Sequence, residues 1–393
     1  MSRSDVVIVG AGIVGACTAY WLRTLAPQLS VTLIERDTTF ARASSALSAS
    51  SLRQQFSSRI NVLLSQAGLE FLKTAPQRLA IDGEPPPAIG WHEGGYLYLA
   101  GNDDEAQTLR RRHRLLRELG ADVALLPRDA LARRFGWLHS DDLTLASLGE
   151  SGEGWFDGPA LHAAVLRKAR SLGATLRTDE AAGFEFDAGR RRISAVRLAS
   201  GVALRCGYVV DAAGPWARAL AQAAGIALPV AARRRTVFVL SCAEPPSDCP
   251  LVIDPAGFWF RPEGRHFLCG FTPDHDADDL PLEPDLKELD EGRWALLAHR
   301  VPAFAALRIE RAWAGYYEMN LFDHNAIIGP HPELPNLLLA NGFSGHGMQQ
   351  AAAAARGLAE WLVHGDYRTL DLRELGIERI LAGRPLREDC VIG

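Results

Sequence analysis

The chain has 393 residues, 48% of them hydrophobic, enough for two domains or one large one with a sizeable core. A formal net charge of -5, from 42 Lys and Arg against 47 Asp and Glu, excludes the basic footprint that nucleic acid or an anionic membrane would require, and leaves small molecules or proteins as partners. Six cysteines (Cys17, Cys206, Cys242, Cys249, Cys269, Cys390) show neither a CxxC pair nor metal-ligand spacing, so reduced thiols, a cytoplasmic setting and no metal are expected.

The first element is Asp5–Val9, a β-branched run bounded by glycine, as in a strand buried within a parallel sheet. Gly10-Ala11-Gly12-Ile13-Val14-Gly15 follows, then a helix through ACTAYWLRTLA, then a strand over Val31–Ile34 that ends in Glu35. In such a βαβ unit Gly10 permits the tight turn, Gly12 admits a pyrophosphate to the backbone, and Gly15 lets the helix pack on the strand, with the helix N-terminus facing the phosphates. Glu35, 20 residues after Gly15, is placed to accept from a ribose 2′-hydroxyl. An acid there argues against a 2′-phosphate and leaves FAD or NAD as the dinucleotide. The same early apolar stretch lacks a basic leader and a cleavage site and is broken by glycines, so neither a signal peptide nor a membrane span of about 20 residues is expected.

Thr38–Ser58 is polar and Ser-rich, suited to phosphates and a ring system rather than a core, and Arg59–Leu72 has helical apolar spacing. The Pro-rich GEPPPAIG (Gly83–Gly90) opens a new region, with GYLYLA as a strand and Asp103–Leu119 as a charged helix whose RRRHR run reads as a solvated face. EGWFDG precedes a helix over Pro159–Leu172, and GATLRTDEAAGFEF and ISAVRLASG alternate as strands. Tyr208–Ala213 (YVVDAA) empties into Gly214-Pro215-Trp216, a strand, turn and helix start that belong with the first sheet, so the dinucleotide domain is discontinuous. TVFVLS, FWFRP and HFLCGF, with a helix near Leu286–His299, make a second domain. DHDADD (Asp274–Asp279) lacks the glycine and glutamate of a calcium loop. The expected division is 1–82, 150–225 and 321–375 for the dinucleotide domain, 83–149 and 226–320 for the second, and 376–393 as a tail.

Near the C-terminus NLLLANGFSGHGMQQAAAAA reads as a returning strand, a glycine loop and an alanine-rich helix. The loop leaves backbone N–H groups at the helix N-terminus, a place that stabilises negative charge such as a reduced flavin carries at its pyrimidine edge.

Together VVIVGAGIVGACTAYWL, RASSALSAS, WFDGPALHAAV, VVDAAGPWA, FWFRPEG and GFSGHGMQQA resemble the D-amino acid oxidase superfamily of FAD enzymes, over nearly the whole chain. SSLRQQFS and GYYEMNLFDHNAIIGPHP resemble more closely the mitochondrial FAD-dependent oxidoreductase domain-containing subfamily, which assists assembly of respiratory complex I, and its bacterial relatives. The resemblance implies an α/β fold: a Rossmann-like FAD-binding domain plus an α+β substrate domain with an antiparallel sheet. It implies hydride transfer from a C–N or C–O bond to flavin N5. By resemblance Gly10, Gly12, Gly15, Glu35 and Arg36 hold the ADP half; Ser44, Ser45 and Ser48 lie along pyrophosphate and flavin; Ala213 and Gly214 line the cofactor. Gly342, Ser344, Gly345, His346, Gly347, Met348 and Gln349 surround the pyrimidine edge.

Two departures stand out. Relatives that clamp a substrate carboxylate place an Arg two residues after a WAG-like stretch, where Trp313-Ala314-Gly315-Tyr316-Tyr317 puts Tyr317. Relatives with a Lys in the glycine loop and a Cys for covalent flavin attachment are matched by Gln349 and Gly315, so FAD is expected to be noncovalent. Arg53 is then the cationic candidate for a substrate carboxylate, with Tyr317, His346 and Gln349 beside it as catalytic candidates. Arg261 reads as a locally paired structural residue, and Tyr316 and Trp259 as pocket roof. The expected activity is oxidation of an amino acid or secondary amine of the N-alkyl glycine type. The alternatives are a 2-hydroxy acid dehydrogenase, with His346 or His324 as base, and a flavoprotein serving as an assembly or electron-transfer partner.

Overall fold

The computed structural model describes residues 3–389; Cys390 and the end of the expected tail lie outside them. The first strand, β1 (Arg3–Val9), is followed by α1 (Ile13–Leu25) and β2 (Val31–Glu35). β1 pairs in parallel with β2 on one side and with Ala203–Asp211 on the other. Beyond these the sheet runs through Leu337–Asn341 to an antiparallel edge at Ile327–Pro330, and through β2 to Thr175–Thr178. The apolar run of β1 follows from this central place. Val6 and Ile8 pack against α1 and the helices Gly158–Ser171 and Gly347–His364, whereas Val7 and Val9 pack against the elements around Phe184, Ala217 and Leu339 on the opposite face.

The alanine run of Gly347–His364 has a packing cause. Ala351, Ala352, Ala354 and Ala355 are buried, and their small side chains bring the helix close enough to α1 for Trp21 Nε1 to donate to Ala352 O at 2.8 Å. That pairing fixes the C-terminal helix against the first βαβ unit and so sets where its N-terminus points.

The second sheet has eight strands, in the order Arg308–Asn320, Val230–Ser241, His266–Phe271, Phe258–Glu263, Leu251–Asp254, Tyr96–Ala100, Leu145–Gly149, Val123–Pro127. Neighbours are antiparallel except Leu251–Asp254 and Tyr96–Ala100, which run parallel. Helix α2 (Arg59–Arg78) extends past the expected Leu72, with Pro76 in its last turn. The helix expected near Leu286–His299 is broken into a 3-10 turn, Leu286–Glu288, and a helix Glu291–Arg300, because Asp290 caps the second piece by accepting from Arg293 N at 2.8 Å.

One expectation is corrected on α3 (Asp103–Glu118). Within RRRHR, Arg112 points inward and is 2% exposed, its guanidinium lying 4.2 Å from the centre of the Tyr98 ring. The period of the helix turns one arginine of the run onto the sheet while its neighbours stay in solvent, and the flat cation is held by the aromatic face.

The segment after residue 376 folds back on the molecule. Glu388 accepts from Ser57 N at 2.6 Å and Ser57 Oγ at 2.7 Å, from the Ser58 hydroxyl, and from Asn61 Nδ2 at 2.7 Å, all at the start of α2. A carboxylate on the unsatisfied N–H groups of a helix start matches both their hydrogen bonds and the helix dipole. Glu388→Ala should cost about 1–2 kcal/mol of unfolding free energy, measured in urea; an unchanged midpoint would mean that the tail is not docked in solution.

Candidate cofactor and substrate site

Two joined cavities lie between the sheets. The larger, about 740 Å³, is lined by Gly10, Gly12, Glu35, Arg36, Ser44, Ser45, Ala213 and Gly214 among others. Its floor is the turn after β1. Gly10 has φ 94°, and a Cβ there would stand 2.3 Å from Ala212 O; a Cβ on Gly15 would stand 2.0 Å from Gly10 O. Gly15 is not among the residues lining this cavity; it pins α1 on β1. Gly12 caps α1 without a side-chain hydrogen bond, and no acid sits in the first turn, so the helix start presents bare N–H groups to the cavity. Glu35 accepts from Ala11 N at 2.9 Å and from Asp37 N at 3.0 Å, which ties β2 to the glycine loop and fixes its carboxylate at the cavity wall. Arg36 stacks 3.9 Å over Trp216.

One buried polar atom in the cavity lining has no partner among the described residues: Ser44 Oγ. An orphaned group beside bare helix N–H groups is what a bound dinucleotide would satisfy. These residues fit that ligand.

The smaller cavity, about 120 Å³, shares Ile13, Val14, Ser44, Ser45 and Glu318 with the larger one. Ser48, Arg235, Trp259, Tyr316, Tyr317, Gly345, Gly347 and Met348 complete much of its lining. The glycine loop explains its shape: Gly342, Ser344 and Gly345 have φ of 68°, 48° and 88°. Ser344 is held in that left-handed conformation by donating to Gly342 O at 3.1 Å and accepting from Asn320 N at 3.0 Å. A Cβ on Gly345 would stand 2.5 Å from Tyr317 Cε2, so the glycine lets the tyrosine ring lie on the loop backbone.

Arg53, His346 and Gln349 come together behind this loop and do not line either cavity. Arg53 Nη2 is 2.9 Å from His346 Nε2, Gln349 Oε1 accepts from Arg53 N at 2.7 Å, and the guanidinium lies 4.4 Å from the centre of the Phe56 ring. Burial, with the Arg53 charge beside it, holds His346 neutral, well below the usual imidazole range. Neutral His346 accepts through Nε2, which places its proton on Nδ1. Gly342 and Ser344 likewise shape the loop from outside the cavity. Arg261 pairs locally, donating to Pro262 O at 2.8 Å, and reaches Ala49 O at 2.8 Å under the smaller cavity.

Sequence reasoning missed three contributors. Glu318, at the joint of the cavities, accepts from Gly342 N at 3.2 Å; burial pushes its carboxyl up to about 8. Asp211, which accepts from Ala213 N at 3.0 Å, is pushed up to about 7 by burial. Arg235 stands across from Gly315 in the pairing of Val230–Ser241 with Arg308–Asn320, on the face that carries Tyr317, and its guanidinium is 5.2 Å from that ring. The period-2 alternation of strands was the available signal: it separates Arg235 and Arg233 from Arg234 within the RRR run. Away from the cavities His139, Asp142 and His299 bring ligand atoms within 4.8 Å of one another, but Arg300 already holds both Asp142 oxygens, at 2.8 and 3.0 Å.

Both raised carboxyls bind protons more tightly folded than unfolded, where they titrate near 4. The folded state thus holds the extra protons between the two values, and stability falls as pH rises from about 5 to about 8. The melting temperature of cofactor-free protein should fall across that window, and Glu318→Gln should flatten the fall; parallel slopes would mean that Glu318 is ionised in the fold. Gly15→Ala should lose about 1–3 kcal/mol through overpacking and carry less flavin after purification, read as absorbance per protein.

Known proteins are similar to this chain in sequence and in fold. The chain is 37% identical to FAD-dependent oxidoreductase domain-containing protein 1 of Bos taurus, over 99% of this chain and 87% of that one. It is 27% identical to the mitochondrial sarcosine dehydrogenase of Mus musculus, over 95% of this chain but 41% of the longer relative. The crystal structure of L-proline dehydrogenase from P. horikoshii superposes with a TM-score of 0.87 at 25% identity, over 98% of this chain and 100% of that one. The DAO family profile, FAD dependent oxidoreductase, matches residues 5–361. Bare helix N–H groups, a glycine-floored cradle and a second cavity at its end are thus the working parts of a member of the DAO family of FAD-dependent oxidoreductases, with FAD as the cofactor.

Proposed function

We propose that this protein oxidises the C–N bond of a small amino acid of the secondary-amine, N-alkyl glycine type. The observation that carries the reading is the smaller cavity: it continues the FAD cradle, is walled by aromatic side chains, and holds one cationic side chain, Arg235, in its lining. FAD bound in the cradle supplies the hydride acceptor. In this reading the bare N–H groups of α1 hold its phosphates, the start of Gly347–His364 faces its pyrimidine edge, and attachment is noncovalent, since Gly315 and Gln349 offer no nucleophile.

The residues of this chain would then act by placement. Arg235 compensates for Tyr317 at the position where relatives carry their clamp: the cation comes from the adjacent strand, opposite Gly315. Tyr316, Tyr317 and Trp259 exclude water around the reacting bond, which strengthens every charge interaction inside. The Arg53 guanidinium behind the glycine loop adds positive charge on the side where the reduced ring would be negative. An amine that arrives deprotonated needs no protein base. A hydroxy acid needs one, and the Nε2 of His346 is already engaged by Arg53, while His324 is not among the lining residues. Relatives whose names specify sarcosine and L-proline dehydrogenases support an amine over a hydroxy acid.

Anaerobic titration of the holoprotein tests this directly. N-methylglycine or proline should bleach the flavin band near ~450 nm, faster as pH rises because more of the amine is deprotonated, and 2-hydroxy acids should leave it unchanged. Bleaching by hydroxy acids alone would reverse the assignment, and a flavin that no amine or hydroxy acid bleaches would point to a protein redox partner.

A further inference from the structure

The acidic run Asp274–Asp279 lies in the connection from His266–Phe271 to Glu291–Arg300, and three of its acids, Asp274, Asp276 and Asp278, are paired with arginines. Asp274 pairs with Arg293 at 2.8 Å, Asp278 with Arg233 at 2.8 Å and Arg218 at 3.3 Å, and the nearby Asp285 with Arg234 at 3.0 Å. The connection is also fastened to the wall of the smaller cavity. Tyr316 OH donates to Leu280 O at 2.6 Å, and Asp285 N donates to Thr236 Oγ1 at 3.1 Å; Tyr316 and Thr236 both line that cavity.

Asp276 is the member of this group that reaches the cavity's own cation. Its two oxygens accept from Arg235 Nη1 at 2.7 Å and Nη2 at 3.3 Å, the two-point geometry by which a carboxylate meets a guanidinium. The partners are unequally placed: the Arg235 side chain is 9% exposed and that of Asp276 is 40% exposed. A cation buried to that depth requires an anion, and the one in place comes from a half-solvated loop, where water competes for its carboxylate. Asp276 also has somewhere to go, since Arg233 Nη1 is 3.6 Å from its carboxylate.

We propose that Asp276 is a built-in stand-in for the carboxylate of the substrate. The arriving carboxylate takes over Arg235, Asp276 passes to Arg233, and residues 273–285 loosen from the cavity wall. This rests on the reading that a carboxylate-bearing substrate enters the smaller cavity, and it makes the Arg235–Asp276 pair the element that selects carboxylates over neutral amines. Because the exchange is anion for anion, Arg235 keeps a carboxylate partner with and without substrate, and a ligand lacking a carboxylate cannot release the loop.

The test uses 2-furoate, a carboxylate that the flavin cannot oxidise, and its neutral analogue 2-furamide, each titrated into holoprotein and read by the shift of the flavin spectrum. Asp276→Asn should bind 2-furoate about tenfold tighter, because its internal competitor is gone, with 2-furamide unchanged. Asp274→Asn, which frees the same loop from Arg293 without touching Arg235 or Arg233, should leave both affinities within about threefold of the parent. Saturating 2-furoate should raise hydrogen exchange over 273–285 in the parent protein. Equal or weaker 2-furoate binding by Asp276→Asn would overturn the proposal and make Asp276 a positioning partner of Arg235. Equal tightening of both ligands, or of both variants, would overturn it in favour of simple loop opening. None of these readouts needs turnover. A protein that oxidises no amine but gains 2-furoate affinity in Asp276→Asn would lose its proposed activity and keep this inference, and the reverse result would do the opposite.

Discussion

Most of what this protein can do depends on one close backbone contact. Gly15 at the start of α1 lies so near the turn after β1 that a methyl group there would stand 2.0 Å from Gly10 O. That contact lets the helix begin at the strand's end, with its uncapped N–H groups turned into the space between the sheets. An anion at this point meets both hydrogen-bond donors and the positive end of the helix dipole. Every other part of the cofactor site takes its position from there. Glu35 is tied to the loop through Ala11 N, and the alanine helix is placed by its packing on α1.

The second constraint is electrostatic. Several buried or half-buried ionisable groups lie close to the cavities, and they are managed in different ways. His346 is kept neutral by burial and by the charge of Arg53. Asp211 and Glu318 are pushed upward by burial, and Glu318 is drawn partly back by the backbone N–H groups it accepts from. Arg235 is paired with a carboxylate from a surface connection. Apart from the Asp276 exchange proposed above, a site built this way meets charge with groups already fixed in place.

The strand pair Val230–Ser241 with Arg308–Asn320 links the two constraints. Its register sets Arg235 opposite Gly315 and Arg233 opposite Tyr317, so two arginines and a tyrosine share one face next to the glycine loop. Arg234 points the other way, to Asp285. A slip of one residue would exchange the arginine in the cavity for one outside it.

Read as sequence, the chain already determined its first βαβ unit, the discontinuous sheet, and the glycine loop before the last helix, because these are local patterns: alternation, periodicity, and glycines where backbones must approach. Family membership was legible for the same reason, since its motifs are short and contiguous. Tertiary structure alone decided the rest. Arg112 left the solvated face it was expected to share because a helix turns successive residues through 100° and the sheet lay beneath one of them. Arg53 went behind the loop with His346, and Arg235 came into the cavity, because strand register and helix packing choose among arginines that look alike in a row of letters. Glu388 reached the start of α2 across 331 residues of chain. Pairings over such distances are set by which surfaces the core brings together, and no local spacing records them.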